Sequence, residues 1–141
     1  MQGARELSIE AILMKEISTD DAPDSIGPFS QGIRSGDRIY VSGQGPVDPD
    51  TGDLVGDDIR AETELTLENI EAVLAAAGAS LDDVVKATVF VQDMGDYDAV
   101  NEVYSEYMSD PYPARSAVQV EDLPVDIGVE IEVVAEATDE R

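Results

Sequence analysis

The stretch from Ile59 to Ala77 constrains the fold more than any other. Ile59, Thr63, Leu67, Ile70, Val73, Leu74 and Ala77 keep a helical period, and Gly78 stands where a C-terminal cap belongs. Glu62, Glu64, Glu68 and Glu71 lie mostly off that stripe and read as a solvated face. A helix of this kind must lay its stripe on another apolar surface. Shortly downstream, Val84-Val85-Lys86-Ala87-Thr88-Val89-Phe90-Val91 is short and rich in β-branched residues, so it reads as a strand. Val85, Ala87, Val89 and Val91 are expected on one face of it. A helix over a sheet is the simplest outcome.

The flanking sequence fills in the other elements. Met14 to Ser18 leads into a strand, and residues 19–24 have turn chemistry. Ser35-Gly36-Asp37 is a hairpin signal between two strand-like runs, the second placing Ile39 and Val41 on one side and Tyr40 and Ser42 on the other. Asp48-Pro49-Asp50-Thr51-Gly52 has spacing like a calcium loop but lacks the closing glutamate, so it reads as a tight turn and no metal is expected. Asp96 is a candidate N-cap for a second helix, Tyr97 to Met108, with Tyr97, Val100, Tyr104 and Met108 as its buried stripe. Val129 to Ala135 alternates as the last strand, with Val129, Ile131 and Val133 facing one way and Glu130 and Glu132 the other. The expected order is ββ, α, β, α, ββ, with room for one more N-terminal strand. That is an α+β domain: one mixed sheet with two helices packed on one face. Subunit association is the simplest cover for the second face. Residues 1–13 read as an N-terminal extension or an early-assigned start, and residues 14–141 as a single domain.

Composition narrows the chemistry. The chain has no cysteine and no histidine, which excludes disulfides, thiolate sites, Ser-His triads and His-based metal centres. A general base must then be a carboxylate, with Tyr or Lys as weaker options. Only 8 residues are Lys or Arg against 32 Asp or Glu, for a net charge of −24. The acids are dispersed over an ordinary core, as suits a halophilic protein working in molar salt; such a fold is expected to lose stability at low salt, where self-repulsion is unscreened. This charge argues against nucleic acid as a partner. No run is long and apolar enough to cross a bilayer, and a cytoplasmic location is the default expectation.

With so few cations, Arg115 stands out. It follows Pro111 and Pro113 and enters the alternating run Ala114 to Val120, with Arg115, Ala117 and Gln119 on one face. A guanidinium mounted on a strand suits a carboxylate held by two parallel hydrogen bonds. The competing reading is a solvated arginine paired with one of the many acids. Glu130 is in the same position: it is a candidate base or one more surface acid, with Glu132 its neighbour on the same face.

Several motifs, in order, resemble the RidA/YjgF family of imine deaminases. They are Ala22-Pro23 through Ile26-Gly27-Pro28-Phe29-Ser30-Gln31, Val41-Ser42-Gly43-Gln44, Glu68-Asn69-Ile70, Lys86-Ala87-Thr88-Val89-Phe90-Val91, Val100-Asn101, Tyr112-Pro113-Ala114-Arg115-Ser116 and Val129-Glu130-Ile131-Glu132. The resemblance runs from about Met14 to Ala137. It implies a chorismate-mutase-like fold and a homotrimer with sites between subunits. It also implies hydrolysis of 2-imino acids, such as 2-iminopropanoate and 2-iminobutanoate, to 2-oxo acids and ammonia with no cofactor and no metal. By the same resemblance Arg115 grips the substrate carboxylate and Glu130 orients or activates water. Asn101, Ser42, Phe29 and Ala117 line the pocket. Phe29 stands where the family has a tyrosine, and Ala117 where it often has cysteine. Taken alone, Asn101 could pair with helix backbone, Ser42 could tie down its own turn and Phe29 could be core. A non-catalytic module binding 2-oxo acids on the same scaffold is the alternative. Ribonuclease activity or translation inhibition, sometimes attached to this family, is disfavoured by the charge.

Overall fold

Asp58 opens the long helix: its side chain accepts from Ala61 N at 2.8 Å and caps α1, Ile59–Ala76. At the far end Gly78 takes φ +77°, a left-handed turn that a glycine adopts without strain. Arg34 reaches that end from the sheet, donating to Ala77 O at 3.1 Å, Ala137 O at 3.0 Å and Gly36 O at 3.2 Å. The computed structural model describes residues 14–56 and 58–137; the expected N-terminal extension, residues 1–13, and the polar end, residues 138–141, lie outside them.

The strands are β1 (Met14–Ile17), β2 (Gly32–Ser35), β3 (Arg38–Gln44), β4 (Val84–Val91), β5 (Ala114–Gln119) and β6 (Val129–Glu136); α2 is Tyr97–Tyr107. They form one six-stranded sheet in the order β1-β2-β3-β6-β4-β5. Only β4 and β5 are parallel, joined through α2; the other pairs are antiparallel. Both helices cover the face carrying Ile39, Val41, Ala87, Val89, Val91, Val129, Ile131, Val133 and Ala135, all buried with Leu67, Ile70, Val73, Leu74, Val100 and Val103. Each buried valine, leucine or isoleucine among them contributes about 1.5–3 kcal/mol. The expected α+β architecture is what forms.

Four expectations need correction. Glu62 is not on a solvated face: it is 8% exposed, and its Oε1 accepts from Gly128 N at 2.8 Å. The first turn of α1 lies over the entry to β6, where a backbone amide and the helix N-terminus offset the cost of burying the carboxylate. Val85 does not share the face of Ala87. The register between β4 and β6 shifts between Val84 and Lys86, leaving Val85 44% exposed and Val84 buried in its place. Asp96 stands at the N-cap of α2 but makes no side-chain capping bond. Asp93 instead accepts from Gly95 N at 2.8 Å and opens a 3₁₀ turn, Met94–Asp96, that runs straight into the helix. Finally, the buried stripe of α2 is Val100, Val103 and Tyr104, continued by Met108; Tyr97 is only half-buried.

Among the described residues, no helix lies over the second face of the sheet. Register places Tyr40, Lys86, Thr88, Phe90, Glu130, Glu132 and Val134 there. Tyr40 is exposed, as is Val118 of the edge strand β5.

Candidate functional site

Arg115 lies opposite Ala87 in the β4–β5 ladder, so it projects to the helix side of the sheet, at its edge. There α2 receives it. Nη2 donates to Tyr97 Oη at 2.9 Å and to Asn101 Oδ1 at 2.7 Å. The guanidinium carbon sits 4.8 Å from the Tyr104 ring centroid and 5.6 Å from that of Tyr97. Tyr97, Asn101 and Tyr104 share one helix face by their i, i+4, i+7 spacing. No carboxylate among the described residues pairs with Arg115, although acids outnumber cations fourfold in the chain. The reading of a solvated, ion-paired arginine therefore fails, and so does the reading of Asn101 as a backbone partner. Beneath the guanidinium, Tyr104 Oη is buried with no hydrogen-bond partner among the described residues, and burial raises its pKa against the opposing pull of Arg115. Ala117, two residues along, faces the same side opposite Val89 and packs against the core.

Glu130 lies opposite Phe90, three residues from Ala87 in β4, and so projects to the uncovered face. It is half-buried. Desolvation, and after it the charge of Glu132, raise its pKa above the ordinary carboxylate value. Its carboxylate rests on Gly43: a Cβ there would stand 2.4 Å from Glu130 Oε2 and 2.8 Å from Cδ. Gly43 occupies the irregularity between Val41 and Gln44 in the β3–β6 ladder. A carboxylate with a raised pKa, laid against bare backbone, is a stronger base than an ordinary carboxylate and can take a proton from a water it holds.

Ser42 precedes that glycine. Its hydroxyl donates to Ser30 O at 2.6 Å, so it ties down not its own turn but the segment carrying Phe29, twelve residues earlier in the chain. Phe29 is not core: it is 54% exposed and lines a shallow depression of about 520 Å³ with Ser42, Tyr40, Thr88 and Glu132. The six expected site residues thus divide. Arg115, Asn101 and Ala117 meet on the helix side; Phe29, Ser42 and Glu130 belong to the uncovered side. Among the described residues no group of three His, Cys, Asp or Glu side chains could hold a metal ion. No described helix is long and apolar enough to cross a membrane.

A family model described as Endoribonuclease L-PSP matches residues 19–137. The chain belongs to this family, which includes RidA, YjgF and RutC proteins. A RutC family protein of Pyrococcus horikoshii is 51% identical over 123 residues, 86% of this chain and 98% of that protein. The 2-iminobutanoate/2-iminopropanoate deaminase of Salmonella typhimurium is 44% identical over 126 residues, 87% of this chain and 98% of that one. The crystal structure of E. coli TdcF with bound serine superposes with a TM-score of 0.83 at 42% identity, covering 87% and 98% of the two chains. The α+β fold is therefore that of the RidA family.

Within this RidA-family chain, reading the sequence missed three contributors. Tyr97 and Tyr104 passed as plain helix stripe, although their spacing with Asn101 was visible. Gly43 was visible only as part of a motif, because the carboxylate it accommodates comes from β6.

Proposed function

We propose that this RidA-family protein hydrolyses reactive 2-imino acids, such as 2-iminopropanoate and 2-iminobutanoate, to 2-oxo acids and ammonia. One observation carries the reading: in a chain crowded with acids, Arg115 is held by Tyr97, Asn101 and the Tyr104 ring with no carboxylate of the described residues on it. A guanidinium mounted this way suits the carboxylate of a small acid. The name of the Salmonella relative supports the substrate class.

In this scheme Arg115 fixes the substrate carboxylate and Glu130 holds a water near the imine carbon. As the water oxygen adds to carbon, Glu130 takes its proton and the nitrogen becomes an amine. Glu130 then returns the proton to nitrogen and takes the hydroxyl proton in its place as the C–N bond breaks, so that ammonia leaves, the carbonyl forms, and Glu130 passes the last proton to ammonia or solvent. Orientation and one proton relay suffice, because a protonated imine is already a good electrophile. Arg115 and Glu130 project from opposite faces of one sheet. We therefore assign the complete site to two copies of the chain, within a homotrimer, the uncovered face of one supplying Glu130 beside the Arg115 edge of the next.

The test generates the imino acid in place with an amino acid oxidase while semicarbazide competes for it. Wild type is expected to outrun the trap. Arg115→Ala loses two charge-assisted hydrogen bonds of about 1.5–3 kcal/mol each, so kcat/KM should fall at least about 100-fold with the fold intact. Unchanged turnover in that variant refutes the reading. Phe29, which brings no hydroxyl to the depression, favours one alternative, a binding module for 2-oxo acids. In that case 2-oxo acids raise the melting temperature while the imine decays at its spontaneous rate.

A further inference from the structure

The guanidinium has two edges that can offer parallel N–H bonds, Nε with Nη2 and Nη1 with Nη2. Nη2 belongs to both, and here it already donates to two acceptors, Tyr97 Oη at 2.9 Å and Asn101 Oδ1 at 2.7 Å. A carboxylate that takes two parallel bonds from Arg115 must therefore displace one of them. The two acceptors differ in what they can do next. An amide oxygen only accepts, and a carboxylate beside it meets a second partial negative charge. A phenol accepts and also donates. The proton of Tyr97 has no acceptor among the described residues, since the one hydrogen bond given to its oxygen comes from Arg115. Tyr97 is also the first residue of α2 and half-buried, whereas Asn101 lies one turn further along the helix and makes the shorter bond. The Tyr104 ring holds the guanidinium from below throughout.

We propose that Tyr97 is a carboxylate-binding residue: when substrate arrives, its hydroxyl yields Nη2 to the carboxylate and donates its own proton to that same carboxylate. Arg115 and Tyr97 then hold the substrate together, while Asn101 keeps Arg115 in place. This rests on the reading of Arg115 as the carboxylate clamp. It adds a residue whose hydroxyl selects for small acids over their uncharged counterparts.

The test titrates 2-oxobutanoate into wild type, Tyr97→Phe and Arg115→Ala by calorimetry, and measures KM and kcat for the imino acid in the trapping assay. Tyr97→Phe keeps the ring and is expected to keep the melting temperature. It should weaken 2-oxobutanoate binding about tenfold and raise KM by a similar factor, with kcat unchanged. Binding as tight as wild type, or tighter because Nη2 has been released, overturns the proposal. A fall in kcat with KM unchanged also overturns it, since that assigns Tyr97 to the chemical step or to packing. Loss of binding in Arg115→Ala with full binding in Tyr97→Phe leaves the clamp standing and removes Tyr97. No binding by wild type removes both.

Discussion

In the proposed reaction Glu130 serves as the base, and its surroundings set its strength. Burial raises its pKa first and the charge of Glu132 second. As a base it works ionised, so activity should fall as pH drops through that raised value. Replacing Glu132 with Gln removes the smaller cause. The acid limb of the kcat/KM profile should then move to lower pH, with the plateau unchanged; an acid limb that stays in place would separate the two carboxylates. Arg115 was legible from its neighbours, because prolines and an alternating run announce a rigid mount. Its partners were not. The i, i+4, i+7 set Tyr97, Asn101 and Tyr104 is visible in the chain, but which strand residue that face receives depends on how α2 lies beside β5.

At the level of elements, the bed of Glu130 is the irregular stretch of β3 around Gly43. An alanine there is allowed by the backbone, which has no positive φ, but its Cβ meets the carboxylate at 2.4 Å. The Glu130 side chain must swing aside. Gly43→Ala should leave the melting temperature nearly unchanged and lower kcat/KM about 100-fold, the cost of a displacement near 1 Å. In a Glu130→Gln background the same change should cost nothing further; an additive loss would detach Gly43 from Glu130. Helices and strand faces were largely readable, because periods of 3.6 and 2 are written locally. Val85 was misread because the irregularity that turns it outward is decided by pairing with β6. Glu62 was misread because its partner, Gly128, is 66 residues away in sequence.

Over the whole molecule, the separation of Arg115 from Glu130 is the main consequence of the topology. The parity of each residue within its strand was readable; the register linking β4 to both β5 and β6, which puts them on opposite faces, was not. If the two act together, they act across copies of the chain. Mixing subunits tests this directly. Arg115→Ala and Glu130→Gln are each prepared inactive, then unfolded and refolded together beside an active wild type. Each interface drawing Arg115 from one copy and Glu130 from another is intact by chance in roughly a quarter of cases, so the mixture should recover about that share of wild-type imine hydrolysis. A mixture as inactive as its two components, from protein that has reassembled, would contradict the shared site.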